Sequence, residues 1–304
     1  MRIKVIFNPQ AGKKTAQKQL ERIVGKLLLE GTAQSIDVTA TAYRGHARAA
    51  AAALAPGAYH LVLACGGDGT INEVLNGLME SCCGIPLAIL AAGTSNDFAY
   101  SMRLPDDADE FCALVRAGHY RAIDIGRANK QYFINVAAFG MFTEVSHKTG
   151  QEAKNLFGKL AYYLQGLRDA PEQLMSSVPL SVNSAEMSLE GEFHICLIAN
   201  SMSVGSIRRL MLHADVSDGL FDVLLIKKKG LMLPLAEVIS RLLAHEVGRD
   251  DQQTVYFQTA HIEFDSPLKD QIELDLDGEE PESLPLVIDV LPGAIQLLVP
   301  LCEE

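Results

Sequence analysis

Two glycine-rich turns and a scatter of carboxylates hold the residue types that could do chemistry in this chain. The first turn is Gly66-Gly67-Asp68-Gly69-Thr70-Ile71-Asn72-Glu73. It lies between an apolar run at 61–65 and a segment that sets Ile71, Val74, Leu75, Leu78 and Met79 on one helical face. Glycines there let the backbone come close to a phosphate, and the following helix start offers N–H groups that no helix carbonyl satisfies. Asp68 would repel a phosphate, so its chemistry is to hold a phosphate-bound cation such as Mg²⁺, directly or through water. The competing reading is a tight turn with Asp68 capping the helix. Two better-known phosphate loops do not apply: GxxxxGK[ST] is absent, and GxGxxG fails because Asn72 stands at its third glycine.

Ala91-Ala92-Gly93-Thr94-Ser95-Asn96-Asp97-Phe98 again sets a glycine, a hydroxyl and an acid behind an apolar strand. Two such turns at strand ends favour one shared phosphate–metal site. Asp124, between Ile123 and Ile125, is an acid that is costly to bury without a partner; taken alone, it reads equally as a turn cap. Later, Ile272, Leu274 and Leu276 alternate with Glu273, Asp275 and Asp277; then Gly278 breaks the strand and Glu279 follows. Glu273 and Asp275 read as a solvated strand face, whereas Glu279 sits at a strand end, where a side chain projects into a cleft. Asp215-Val216-Ser217-Asp218-Gly219-Leu220 is either a turn entering the next strand or a hard-cation site made by Asp215, Asp218 and the carbonyl of Leu220.

These residues need elements to hold them. Apolar runs at 3–7, 35–41, 61–65 and 86–91 alternate with helical spacing at 20–28, 47–54 and 71–79. Repeated strand–turn–helix units predict an α/β domain, a parallel sheet covered by helices with ligands at the strand ends. Beyond residue 120 the texture changes. Runs at 121–128 and 131–137 form a hairpin around Asn129-Lys130, and strand-like runs follow at 180–183, 193–199, 221–227, 255–264, 271–277, 286–291 and 295–299. Helices are expected only near 152–168 and 231–245. The expected architecture is therefore an α/β domain over 1–126 followed by a mainly antiparallel β-sandwich domain over 127–304, whose last strand has room to pack back on the first domain.

With 304 residues, 48% hydrophobic and 21% charged, the chain is ordinary globular protein. Its formal net charge of −12 argues against nucleic acid as a partner. That charge is local: residues 250–304 carry Lys269 against 14 acids, and the rest is nearly balanced, so contact with an anionic membrane is not forbidden. No apolar run of about 18 residues predicts a spanning helix. The opening Met-Arg-Ile-Lys-Val-Ile-Phe alternates like a strand and not like a signal peptide. The six cysteines lack CxxC pairs and metal spacing with His, so reduced, mostly buried thiols and a cytoplasmic location are expected.

Together these motifs resemble the diacylglycerol kinase catalytic-domain family, which includes bacterial soluble lipid kinases and, more distantly, sphingosine and ceramide kinases. The resemblance runs from Asn8-Pro9 and Gly12, through both glycine turns and Asp124, to Gly158-Lys159-Leu160-Ala161-Tyr162, Asp218-Gly219-Leu220-Phe221-Asp222-Val223 and Asp277-Gly278-Glu279. Ser95 departs mildly, standing where the family usually has glycine or another small residue. The resemblance implies a nucleotide-binding domain, then a β-sandwich lipid-substrate domain, with the active site between them. It implies that Asn8, Pro9, Gln10, Ala11, Gly12, Thr41, Gly66, Gly67, Asp68, Gly69, Thr70, Ile71 and Thr94 contact ATP. Asp68, Asp97 and Asp124 would organise catalytic Mg²⁺ and water, Asp215, Asp218 and the Leu220 carbonyl would bind a structural Mg²⁺, and Glu279 would be the general base.

The implied reaction is ATP- and Mg-dependent transfer of the γ-phosphate to a lipid hydroxyl. The foremost substrate is diacylglycerol, giving phosphatidic acid for phospholipid biosynthesis; a sphingoid base or phosphatidylglycerol is the alternative lipid. Asp277, Glu280 and Glu282 are expected to raise the pKa of Glu279 by like-charge repulsion. A lipid substrate implies transient peripheral contact with the inner face of the membrane, and a homodimer is left open. The candidate contacts are Arg208-Arg209, Lys227-Lys228-Lys229 with Leu231, Met232 and Leu233, and a helix bearing Lys154, Lys159, Tyr162 and Tyr163. Competing readings are a kinase for a soluble substrate such as NAD and a non-catalytic nucleotide-binding regulator. The second Gly-Thr turn and the late Asp-Gly-Glu favour the lipid kinase, and intact Asp68, Asp97 and Glu279 favour turnover.

Overall fold

The short apolar runs that open the chain fold as parallel strands. In a computed structural model, β1 (Arg2–Phe7), β2 (Ser35–Ala40), β3 (Leu61–Gly66) and β4 (Leu87–Ala91) pair in the order β2-β1-β3-β4, all parallel. Every residue of β3 is buried, which is why its sequence is continuously apolar instead of alternating. β2 lies at the edge and is largely exposed. The structure describes residues 1–140, 177–205, 207–228, 253–269, 272, 274–279 and 283–301. The helices expected near 152–168 and 231–245, the motif at 158–162, and Lys229, Glu273, Glu280 and Glu282 lie outside them.

The chain divides into two compact units, Met1–Asp124 with Pro292–Glu304, and Ile125–Leu291. In the first, Leu297 of β14 (Leu286–Leu298) pairs with Leu87 and adds a parallel strand beside β4. The helices are α1 (Lys13–Leu29), α2 (His46–Ala52), α3 (Asp68–Ser81), α4 (Asp97–Ser101) and α5 (Ala108–Ala117). α1 sends Leu20, Ile23 and Leu27 into a core shared with Phe111, Leu114 and Val115 of α5. Outside that core, Asp109 takes Lys26 at 2.7 Å and also Arg22. The alanine run of α2 has a packing reason: Ala47 and Ala51 are buried, and α3 comes so near that a Cβ at Gly77 would overlap the Arg48 carbonyl.

The second unit is a β-sandwich of antiparallel strands. It contains β6 (Gln131–Phe133), β7 (Val136–Gly140), β8 (Val178–Ser184), β9 (Ser188–Ala199), β10 (Phe221–Lys227), β11 (Thr254–Thr259), β12 (His261–Asp265) and β13 (Leu274–Leu276). It also takes part of β5 (Tyr120–Ala128) and the first half of β14. β9 pairs with β8 and then β7 along one edge, and with β10 along the other. Its alternate residues serve two cores. Phe193, Cys196 and Ile198 join Phe139, Phe221 and Phe264, whereas Ile195 and Leu197 meet Val204, Leu210 and Met211.

Four strand expectations change. The run at 131–137, expected as one arm of a hairpin, is two strands: β6 pairs with β5, whereas β7 pairs with β9 and β13. The run at 255–264 is two strands, since β11 pairs with β10 but β12 pairs with β8 and β14. Between them the Thr259 hydroxyl donates to the His261 carbonyl at 2.8 Å and turns the chain. The runs at 286–291 and 295–299 are the single strand β14, which passes through Pro292-Gly293 with Gly293 at φ +58°. The strand expected over 271–277 ends at Leu276, because Asp277 and Gly278 form a turn. No described helix is long and apolar enough to cross a membrane.

Candidate active site

In the first unit the turns that follow β1, β3 and β4 interlock. Gly67 caps α3 with extended backbone, and no side chain caps the helix, which removes the reading of Asp68 as its cap. Asp68 is the first helical residue, and its Oδ2 accepts from the Asn96 N–H at 3.2 Å. Asn96, left-handed at φ +52°, accepts from the Gly93 N–H through Oδ1 at 2.8 Å. A Cβ on Gly93 would lie 2.8 Å from the Gly67 Cα and 2.9 Å from Asn96 Oδ1, so the two turns touch backbone to backbone. Asn8 joins them: its Nδ2 donates to Thr70 Oγ1 at 3.0 Å and its Oδ1 accepts from the Gln10 N–H at 2.9 Å. Gly12 is left-handed at φ +64°, and a Cβ there would lie 2.5 Å from the Ala92 carbonyl oxygen. Thr41 is held to the end of β1 by its N–H to the Phe7 carbonyl at 2.8 Å, and Thr94 is exposed on the second turn.

The acids divide by surroundings. Burial pushes the Asp68 carboxyl above the ordinary carboxylate range, and the Asn96 N–H partly offsets it. Asp97, the first residue of α4, is 5% exposed, and Asp124 on β5 is 2% exposed with Oδ1 accepting from the Gly293 N–H at 2.8 Å. Among the described residues no three His, Cys, Asp or Glu side chains converge as a metal cage. A cation here needs further ligands, as Mg²⁺ takes from phosphates and water.

Asn72 and Glu73 have roles that the sequence reading did not assign. Glu73 Oε1 accepts from the Gly45 N–H at 2.7 Å and Oε2 from the Ala47 N–H at 3.0 Å, so α3 supplies the cap of α2. Asn72 is buried, and its Oδ1 accepts from Asn76 Nδ2 at 2.9 Å.

In the second unit, Leu276 and Glu279 bond to each other through N–H to carbonyl at 2.8 and 2.9 Å, closing a two-residue turn. Its central residues, Asp277 at φ +53° and Gly278 at φ +89°, have the two positive φ values of a type I′ hairpin turn. Asp277, expected as a repelling neighbour of Glu279, is engaged elsewhere. Its carboxylate accepts from the N–H groups of Ile134 at 2.6 Å, Asn135 at 3.1 Å and Val136 at 2.8 Å. Asp215 and Asp218 form successive local turns, accepting from the N–H groups of Ser217 at 3.0 Å and Leu220 at 2.9 Å. Asp222, read in the sequence only as part of the 218–223 motif and given no role there, is fully buried on β10, accepts from Tyr256 Oη and Gln258 Nε2, and is pushed up to about 6 by burial.

Comparison with known proteins decides the family. Residues 2–128 match the family model for the diacylglycerol kinase catalytic domain, and residues 135–299 match that for the YegS C-terminal NAD kinase beta sandwich-like domain. A diacylglycerol kinase of Bacillus subtilis (strain 168) is 32% identical over 285 residues, spanning 93% of this chain and 91% of that protein. The chain belongs to the diacylglycerol kinase family. A second diacylglycerol kinase, from Staphylococcus saprophyticus, is 32% identical over 284 residues, 93% of this chain and 90% of its own. A Bacillus anthracis str. Sterne crystal structure, described as a candidate diacylglycerol kinase, matches with a TM-score of 0.85 at 25% identity, covering 98% of this chain and 95% of that one. This is a family of lipid kinases, and the fold of this diacylglycerol kinase relative is that of the family, an α/β unit with parallel strands followed by a β-sandwich.

The residues in place suit a metal-bound triphosphate. The cradle is lined where a Cβ would collide, α3 starts without a side-chain cap, and Asp68 offers hard carboxylate oxygens from a partly buried position.

Proposed function

We propose that the protein transfers the γ-phosphate of ATP to the hydroxyl of diacylglycerol, giving phosphatidic acid, and that it requires Mg²⁺. The observation that carries this reading is the interlocked cradle at the uncapped start of α3, with Asp68 beside it. Asn8 to Gly12, Thr41, Gly66 to Ile71 and Thr94 are proposed to bind ATP, largely through backbone N–H groups. Asp68, Asp97 and Asp124 would organise the cation and its bound water, and the cation would supply charge neutralisation to the phosphates. Asp215, Asp218 and the Leu220 carbonyl are proposed as a second, structural Mg²⁺ site. Glu279 takes the proton of the lipid hydroxyl on a carboxylate oxygen, the general-base step that the reaction needs. Membrane contact is transient and peripheral, through Arg208, Arg209, Lys227 and Lys228, and dimerisation is compatible with it.

The test is transfer from radiolabelled ATP to diacylglycerol in mixed micelles. Glu279→Gln is expected to lower turnover by roughly 10²–10⁴-fold while ATP still binds; near wild-type turnover would refute the assignment. One observation favours a second reading. The model matched by residues 135–299 is named for the NAD kinase sandwich, so NAD belongs in the assay beside sphingosine and phosphatidylglycerol. Transfer to NAD alone would move the protein to the soluble-substrate class.

A further inference from the structure

The Asp277-Gly278 turn presents Glu279 on one side, and on the other its carboxylate is tied into the sandwich. All three N–H groups of Ile134, Asn135 and Val136 point at Asp277, which is 6% exposed, and the Asp277 N–H returns a bond to the Val136 carbonyl at 3.0 Å. The receiving segment is fixed in turn. Asn135 donates through Nδ2 to the Ser203 carbonyl at 3.1 Å and accepts from Ser201 Oγ, and Asn200 Nδ2 donates to the Ile134 carbonyl at 2.9 Å. A buried carboxylate with three backbone donors is a strong, directional anchor. A two-residue turn transmits it rigidly, because Glu279 is only two residues away and its backbone is bonded to Leu276 in both directions. A buried acid with left-handed backbone is costly to keep for a hairpin alone, since Asn-Gly closes a type I′ turn at least as well.

We propose that Asp277 is a positioning residue for the general base, setting where the Glu279 carboxylate stands by pinning its turn to residues 134–136. This rests on the reading of Glu279 as the base. Asp277→Asn isolates the anchor, because asparagine suits the turn but replaces one accepting oxygen with an N–H₂ group facing backbone donors. The experiment is a double-mutant cycle in kcat, measured under single-turnover conditions with radiolabelled ATP and diacylglycerol micelles, alongside the Kd for ATP. Asp277→Asn is expected to lower kcat roughly tenfold to a hundredfold, the scale of a displaced catalytic group, with the ATP Kd unchanged. In a Glu279→Gln background the same substitution should change kcat by less than about twofold, because its effect passes through a group already removed. Losses that multiply, or an Asp277→Asn protein with wild-type kcat, overturn the positioning role. Should Asp277→Asn not fold, Asp277→Glu carries the same cycle: it keeps an accepting carboxylate but lengthens its tether to the N–H groups of residues 134–136, so the anchor itself is displaced. Failure of the base assignment would appear separately, as undiminished kcat in Glu279→Gln alone.

Discussion

Gly93 cannot take a side chain without moving Gly67, since the added Cβ would press on its Cα at 2.8 Å. Gly93→Ala should therefore part the two turns and weaken ATP binding about tenfold or more, roughly 1.4 kcal/mol, by titration calorimetry. Gly118→Ala is the contrast. Gly118 ends α5 at φ +60° with open space around it, so alanine there should cost about 1 kcal/mol of stability and leave ATP affinity alone. The glycines and acids of the cradle were legible in the sequence because backbone contact leaves one permitted residue, and a partly buried acid beside it asks for a cation. Glu73 and Asp277 were not legible as anchors. Each meets backbone N–H groups far along the chain, Gly45 and Ala47 or 134–136, and every residue type except proline supplies a backbone N–H.

Helix α2 has only 7 residues and takes its cap from α3, so its stability is borrowed. Glu73→Ala should cost about 1–2 kcal/mol, the value of a lost helix cap, and lower the melting temperature by a few degrees in a thermal scan. In the sandwich, His261 on β12 has Nδ1 2.7 Å from Asp289 Oδ1 on β14, and that bond raises its pKa. A raised histidine stabilises the fold fully below its unfolded value of about 6.5, and the contribution fades as pH climbs through the folded value. His261→Gln should therefore be less stable than wild type at about pH 5.5, by no more than ~1 kcal/mol for so exposed a pair, and should match wild type at about pH 8.5 in thermal scans. Periodicity revealed α3 because its apolar residues sit on one face, and Ile71, Val74, Leu75 and Leu78 are indeed buried. It did not reveal α5, although Asp107 caps that helix through the N–H groups of Asp109 and Glu110 and Gly118 ends it. The split of β11 from β12 was hidden as well, since a change of pairing partner leaves the composition of a run unaltered.

The first unit is completed by a segment that returns after the whole second unit has been made. Leu297 and Leu298 are fully buried, and Leu298 packs in the core with Leu63, Leu90 and Phe111. A fragment of residues 1–126 lacks both, a loss of roughly 3–6 kcal/mol at about 1.5–3 kcal/mol per leucine, against a total stability of about 5–15 kcal/mol. Urea titration should find it unfolded or nearly so, and residues 292–301 joined through a flexible linker should restore a cooperative transition. The sequence showed the change from alternating elements to successive strands, since the two textures have different periods. It left room for the last strand to pack back on the first unit, but it could not show that this strand is continuous with 286–291, because Pro292-Gly293 reads as a break. On the ribosome the same connection sets an order of manufacture. Strand β4 waits with one edge unpaired while the chain from Ile125 to Leu291 is made, roughly 10–30 s at about 5–20 residues per second. An open parallel edge is an invitation to any other extended chain. Of the two units, the one synthesised earlier is thus the last to close.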